Sequence, residues 1–275
     1  MSLLFGPGSW AWEPSVLIGL LATSVGYAVL VGPLRRRHHS GERVPVGRQL
    51  CFYAGVLSVF VAMVSPLDTI GDEQLFSAHM AQHMLLTFVA PPLWLLGLPA
   101  WMPGLLARRD RLARVGVRLT RPAVAFVIFN GTMWAWHVPF AYDAALRSEP
   151  LHIVEHLTFM ATAVIGWWPV IQSWPAADDD PRPWRILYLF LSTFPCTALA
   201  AVITLSPRQL YTFYANAPLQ LGVSPMLDQQ VGGLLMWLPA DMILILAALI
   251  VGNRWLADQT GRYAQGHPPK VATSE

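Results

Sequence analysis

Seven apolar stretches recur along this 275-residue chain, at residues 14–31, 50–66, 79–99, 122–138, 151–172, 184–205 and 229–251. Each approaches or reaches the roughly 17 to 25 residues that a helix needs to cross a hydrocarbon core about 30 Å thick. No water is available inside a bilayer to satisfy backbone N–H and C=O groups, so segments of this kind must be helical. Composition agrees: 55% of the residues are apolar and only 12% are charged, which excludes an ordinary water-soluble domain. The expected fold is an all-α integral membrane protein, a seven-transmembrane helical bundle over residues 1–252, followed by a flexible cytoplasmic tail at residues 253–275. The first basic residue is Arg35, so a charged leader is missing ahead of the first stretch, which is expected to remain as a span.

Arginine placement orients the bundle. The loops at residues 32–49 and 100–121 carry Arg35, Arg36, Arg37, Arg43 and Arg48, then Arg108, Arg109, Arg111, Arg114, Arg118 and Arg121. Two spans separate these loops, so they share a side. Arg182, Arg185, Arg254, Arg262 and Lys270 join them there, leaving only Arg147 and Arg208 opposite. The positive-inside rule then predicts an outer N-terminus and a cytoplasmic C-terminus. These basic segments read as topology determinants and contacts to anionic membrane lipids, with no nucleic acid as partner. An acidic turn is expected around Asp178, Asp179 and Asp180. Retinal is disfavoured because the only lysine, Lys270, lies in the tail, where it offers no Schiff-base amine to the bundle.

Five histidines, His79, His83, His137, His152 and His156, fall near the ends of stretches that this topology brings to the outer face. His79 and His83 are four residues apart, as are His152 and His156, and a helix sets residues at that spacing on one face, close enough to share a metal. His137 closes the fourth stretch from the opposite direction. Asp68, Asp72, Glu73 and Asp143 are expected at the same level. Imidazole suits copper, zinc, nickel, iron or haem iron. Neither pair has the H-E-x-x-H spacing of a zinc hydrolase, and no catalytic set is identified. Glu155, beside His156, is a candidate to flank the site or orient a ligand. Met80, Met84 and Met133 are candidate soft donors, though thioethers also serve as core filler. Asp241, deep in the last stretch two residues after Pro239, is a candidate relay or an interhelical lock. Cys51 and Cys196 fall at different depths, so a disulfide between them is not expected.

The combination of His79-Met-Ala-Gln-His83-Met-Leu-Leu, Trp136-His137-Val-Pro139 followed by Tyr142-Asp143-Ala-Ala-Leu146, and His152-Ile-Val-Glu-His156-Leu-Thr-Phe resembles the CtaG-type family of membrane cytochrome c oxidase assembly factors. The resemblance covers roughly residues 10–255. It implies a multi-pass protein of the bacterial plasma membrane that takes part in copper-dependent maturation of a haem-copper oxidase. A copper ion would be its cargo, and an oxidase subunit or its copper-binding domain its partner. The residues alone leave two alternatives open: a membrane metalloenzyme or haem-binding redox protein, and a metal-free assembly scaffold.

Overall fold

The computed structural model describes residues 10–38, 43–99, 101–102, 110–172, 183–215 and 222–264, and every regular element among them is helical. Arg108, Arg109, Arg182, Lys270 and the acidic turn at Asp178, Asp179 and Asp180 lie outside the described residues. The elements are α1 (Pro14–Val29), prolonged by a π-helical turn at Leu30–Leu34 and a last α turn at Arg35–His38; α2 (Val46–Val64); α3 (Pro66–Glu73); and α4 (Phe76–Met84). A second π-helical turn, Leu85–Val89, links α4 to α5 (Ala90–Gly97). There follow α6 (Asp110–Leu119), α7 (Pro122–Trp136), α8 (Pro139–Leu146), α9 (Glu149–Ile171), α10 (Pro183–Leu205), α11 (Thr212–Ala215) and α12 (Pro225–Ala264).

Among the described residues, five helices are long and apolar enough to cross a membrane: Pro14–Arg37, Val46–Val64, Glu149–Ile171, Pro183–Leu205 and Pro225–Gly261. The pair α7 and α8, bent by 72°, makes a sixth if it is counted as one span. The surface is that of a protein solvated by lipid. Ile18, Leu21, Phe190, Phe194, Met242 and Leu249 all face outward, while Phe76, Met80, Phe159, Leu189, Ile203 and Met236 fill the core. The protein is therefore a helical membrane protein with several apolar spans.

The stretch expected as a continuous span at 79–99 is helical from Phe76 to Gly97 but interrupted in its middle. Proline explains the interruption. Pro91 has no N–H to give the carbonyl four residues earlier, that of Thr87, and the ladder opens there. The indole Nε1 of Trp167 on α9 takes over the freed Thr87 carbonyl at 3.1 Å. Proline also makes the bend between α7 and α8: Pro139 holds Val138 in an extended conformation, and the chain turns at His137. At the other end of the chain, α12 stays helical to Ala264, beyond residue 252 where the sequence reading starts a flexible tail.

The main core joins α4, α7, α9, α10 and α12, with α10 packed along α12, α12 against α4, and α9 against α7. A smaller cluster of Val59, Ala62, Leu86 and Ala90 seats α2 against the α4–α5 run. Helix α1 lies at the periphery. Tyr27 is its one buried residue, stacked 3.8 Å from Phe52 and donating its hydroxyl to the Gly97 carbonyl at 2.8 Å.

Candidate metal centre

One end of the bundle gathers the first turns of α4 and α9, the C-terminal end of α7 and the short helix α3. The structure brings all five histidines together there. The rings of His79 and His83 are 4.2 Å apart, those of His152 and His156 also 4.2 Å, and the two pairs meet with His79 5.3 Å from His152 and His83 5.3 Å from His156. His137 approaches His83 at 6.1 Å. Helical spacing pairs the rings on each helix, and the packing of α4 beside α9 makes the pairs converge.

Donor chemistry follows from which nitrogens are already engaged. A carbonyl or carboxylate oxygen only accepts, so a ring nitrogen facing one carries the proton and leaves the lone pair on the other. His137 donates Nδ1–H to the Met133 carbonyl at 2.7 Å, and His79 donates Nδ1–H to Asp72 Oδ1 at 3.2 Å. His152 Nδ1 lies 3.5 Å from the other oxygen of Asp72. The Nε2 atoms of His79, His137, His152 and His156, and both nitrogens of His83, are buried without a hydrogen-bond partner. Such groups each cost about 1–3 kcal/mol when unsatisfied, so a cluster of them calls for a ligand.

His79, His83 and His156 present donor nitrogens within 4.8 Å of one another. Nitrogens bound at roughly 2.0–2.1 Å to one tetrahedral ion sit roughly 3.4 Å apart, so drawing the trio together by at most about 1.4 Å would seat a transition metal. Asp72, His79 and His152 form a second group under the same limit, sharing His79 with the first. His137 stands beside the trio and outside both groups.

Aromatic and thioether side chains line the site. Phe159 packs on His83 at 4.8 Å and on His137 at 5.9 Å. Met80, Met84 and Met133 are buried in the main core around the site. Tyr142, Tyr211 and Tyr214 close the third side. Tyr211 donates to the His137 carbonyl at 3.1 Å, Tyr214 to the Gly71 carbonyl at 2.6 Å, and Tyr142 rests 5.5 Å from His79. Glu155 is buried, both its oxygens lack partners, and it is close enough to these tyrosines to act on them electrostatically.

Neighbouring elements hold the histidines in place. Gln82, between the pair on α4, donates to the Ala62 carbonyl at 3.0 Å and to Asp68 Oδ1 at 2.6 Å, tying α4 to α2 and α3. Asp68 thus serves as an anchor for α4 and is not brought into a metal-ligand group. Burial, with the neighbouring Asp72 adding to it and the Gln82 bond opposing it, pushes the Asp68 carboxyl up to about 8. Asp228 caps α4, accepting from the Phe76 and Ser77 amides at 2.7 and 3.1 Å. Gly71 lets α3 lie against α4; a Cβ there would meet the His79 Cα and N at 3.0 Å.

Asp241 accepts from Thr197 Oγ1 at 2.7 Å, so it braces α12 against α10, and the histidine site is not its partner. Cys196 directs its thiol at the Met236 carbonyl at 3.8 Å, and both cysteines are free. The roles of Asp72, Gln82, Asp228 and the three tyrosines were not identified from sequence. Asp72 had a signal: it lies seven residues, two helical turns, before His79, although Gln74 and Leu75 interrupt the helix between them.

A family model described as cytochrome c oxidase caa3 assembly factor matches residues 25–258. Uncharacterized proteins of Mycobacterium bovis and Mycobacterium tuberculosis are each 27% identical over 268 residues, and one of Mycobacterium leprae is 26% identical over 269. These alignments cover 89% of this chain but only 39% of each relative, so the chain spans well under half their length. No solved structure matches.

Proposed function

The chain belongs to the cytochrome c oxidase caa3 assembly factor family, and from that premise we propose that it binds copper through His79, His83, His137, His152 and His156 and assists maturation of an oxidase copper centre. The observation that carries this reading is the convergence of buried imidazole nitrogens that have no hydrogen-bond partner. Imidazoles with thioethers nearby suit copper, above all reduced copper, which the neutral donors hold without burying several anions. The chain's own work is to orient the rings through Asp72 and the Met133 carbonyl, to keep water out with Phe159 and the tyrosines, and to present the ion for ligand exchange. The partner is an oxidase subunit or its copper-binding domain.

In this reading the Phe76–Gly97 run and the bent α7–α8 pair complete seven spans in the bacterial plasma membrane. The N-terminus and the histidine site face outward, and the C-terminus lies in the cytoplasm. Arg48 and Arg185, which donate to the Leu98 and Val170 carbonyls at 2.6 and 3.3 Å at the opposite end of the bundle, support that orientation.

Metal analysis and an optical spectrum of gently purified protein test the proposal. Copper without a Soret band is expected, and the double variant His79→Ala/His156→Ala should lose it while still inserting. Haem bands would favour a redox protein, and neither signal a metal-free scaffold. Mixing the loaded protein with a soluble copper-binding domain of an oxidase subunit separates delivery from retention.

A further inference from the structure

We propose that Asp72, His79 and His152 form a distinct, shallower metal station at the mouth of the site, through which the ion is loaded into and released from the buried trio of His79, His83 and His156. The inference rests on the metal-binding reading above and adds a route to it. Its first support is a difference in exposure: the side chains of Asp72 and His152 are 29% and 15% exposed, whereas His79, His83 and His156 are all buried. A hydrated ion must shed its water before it reaches the inner trio, and that trio has no surface on which to do so. The outer groups have one.

Their chemistry fits the task. A carboxylate attracts a cation and replaces bound water with oxygen, while the two imidazoles begin the change to nitrogen ligation. Asp72 Oδ1 is already 3.2 Å from His79 Nδ1, and Oδ2 is 3.5 Å from His152 Nδ1. Separations of that size are what two donors bound to one ion require, at roughly 2.0–2.2 Å each. The second support is that the two groups share one residue. His79 faces Asp72 with Nδ1, while its Nε2 is buried and unpartnered, so one ring offers a donor on each side.

Hand-over is then an exchange of ligands with no change of oxidation state. With the ion outside, Nδ1 of His79 is the ligand and Nε2 carries the ring proton. As the bonds to Asp72 and His152 break and those to His83 and His156 form, the lone pair of Nε2 becomes the donor. One proton leaves Nε2 to water shed by the ion, and one enters Nδ1 from water at the half-exposed Asp72, which then accepts its hydrogen bond, so protons balance.

Copper(II) loading of the full-length protein in detergent, followed by tryptophan quenching in stopped flow, with release to a chelator, tests the station. Asp72→Asn should slow loading by about tenfold or more, the range by which a steering charge raises an on-rate, and should slow release as well, because both directions pass through the station. A rise in the release rate with unchanged loading would instead make Asp72 a residue that only orients His79, and would overturn the proposal, as would wild-type rates in both directions. A second variant, His83→Ala/His156→Ala, should trap copper at the outer station with an electron paramagnetic resonance signature of two nitrogens and oxygen. Loss of all copper there, in protein that still elutes as a folded species, would count against the station. Wild-type protein that binds no copper would overturn the functional reading itself, whereas wild-type binding that is indifferent to Asp72 overturns only the route.

Discussion

At the scale of single residues, spacing along one helix is what the sequence displays directly, and the two histidine pairs were legible for that reason. Their partners were not. Asp72 reaches His79 across the break between two helices, and Tyr211 and Tyr214 arrive from 74 residues beyond His137 and 143 residues beyond Gly71. No periodicity records such meetings. Asp68 shows how burial then changes a group at this end of the bundle. Its carboxyl, raised to about 8 first by burial and then by Asp72, keeps a proton in the folded protein between about pH 4 and pH 8, whereas in the unfolded chain it releases that proton near its ordinary value of about 4. The native state therefore binds more protons in that window, and stability falls as pH rises through it. Thermal unfolding in detergent from pH 5 to pH 9 should show a declining midpoint for the wild type and a flatter one for Asp68→Asn, which cannot titrate but still accepts from Gln82. An equally steep decline in the variant would assign the slope to other groups.

At the scale of elements, apolar length identified where helices run but not where they break. The run at 79–99 contains Pro91 and Pro92, yet mean apolarity is blind to which carbonyl each proline frees. The structure answers with Trp167, whose indole takes the Thr87 carbonyl and so pins α9 to the irregular turn just past His83. The Trp167→Phe variant keeps most of the ring and removes the donor. It should lose about 1–3 kcal/mol of stability, the cost of leaving a buried carbonyl unpaired, read from unfolding in denaturing detergent. Undiminished stability would mean that another group satisfies Thr87. The short α3 and α11 were missed for a related reason, since neither is long or apolar enough to register as a span, although α3 supplies Asp72 and α11 supplies Tyr214.

At the scale of the whole molecule, the membrane character and all-helical architecture were open to reading because solvation by lipid imposes them on composition. The convergence of α3, α4, α7 and α9 at one end was not, because lateral neighbours depend on packing that charge and hydropathy do not encode. Orientation is testable without any metal. In a chain lacking Cys51 and Cys196, cysteine in place of Glu73 should react with an impermeant maleimide in intact cells, and cysteine in place of Arg118 only after permeabilisation. The reverse pattern would invert the bundle. The sharing of His79 between two donor groups sets a further limit, one of dosage. A neutral imidazole has a single lone pair in the ring plane, so His79 can serve one ion at a time. On the proposed route the protein would work as a turnstile: the next ion would be admitted only after the last had left, and an acceptor that needs two would have to be visited twice.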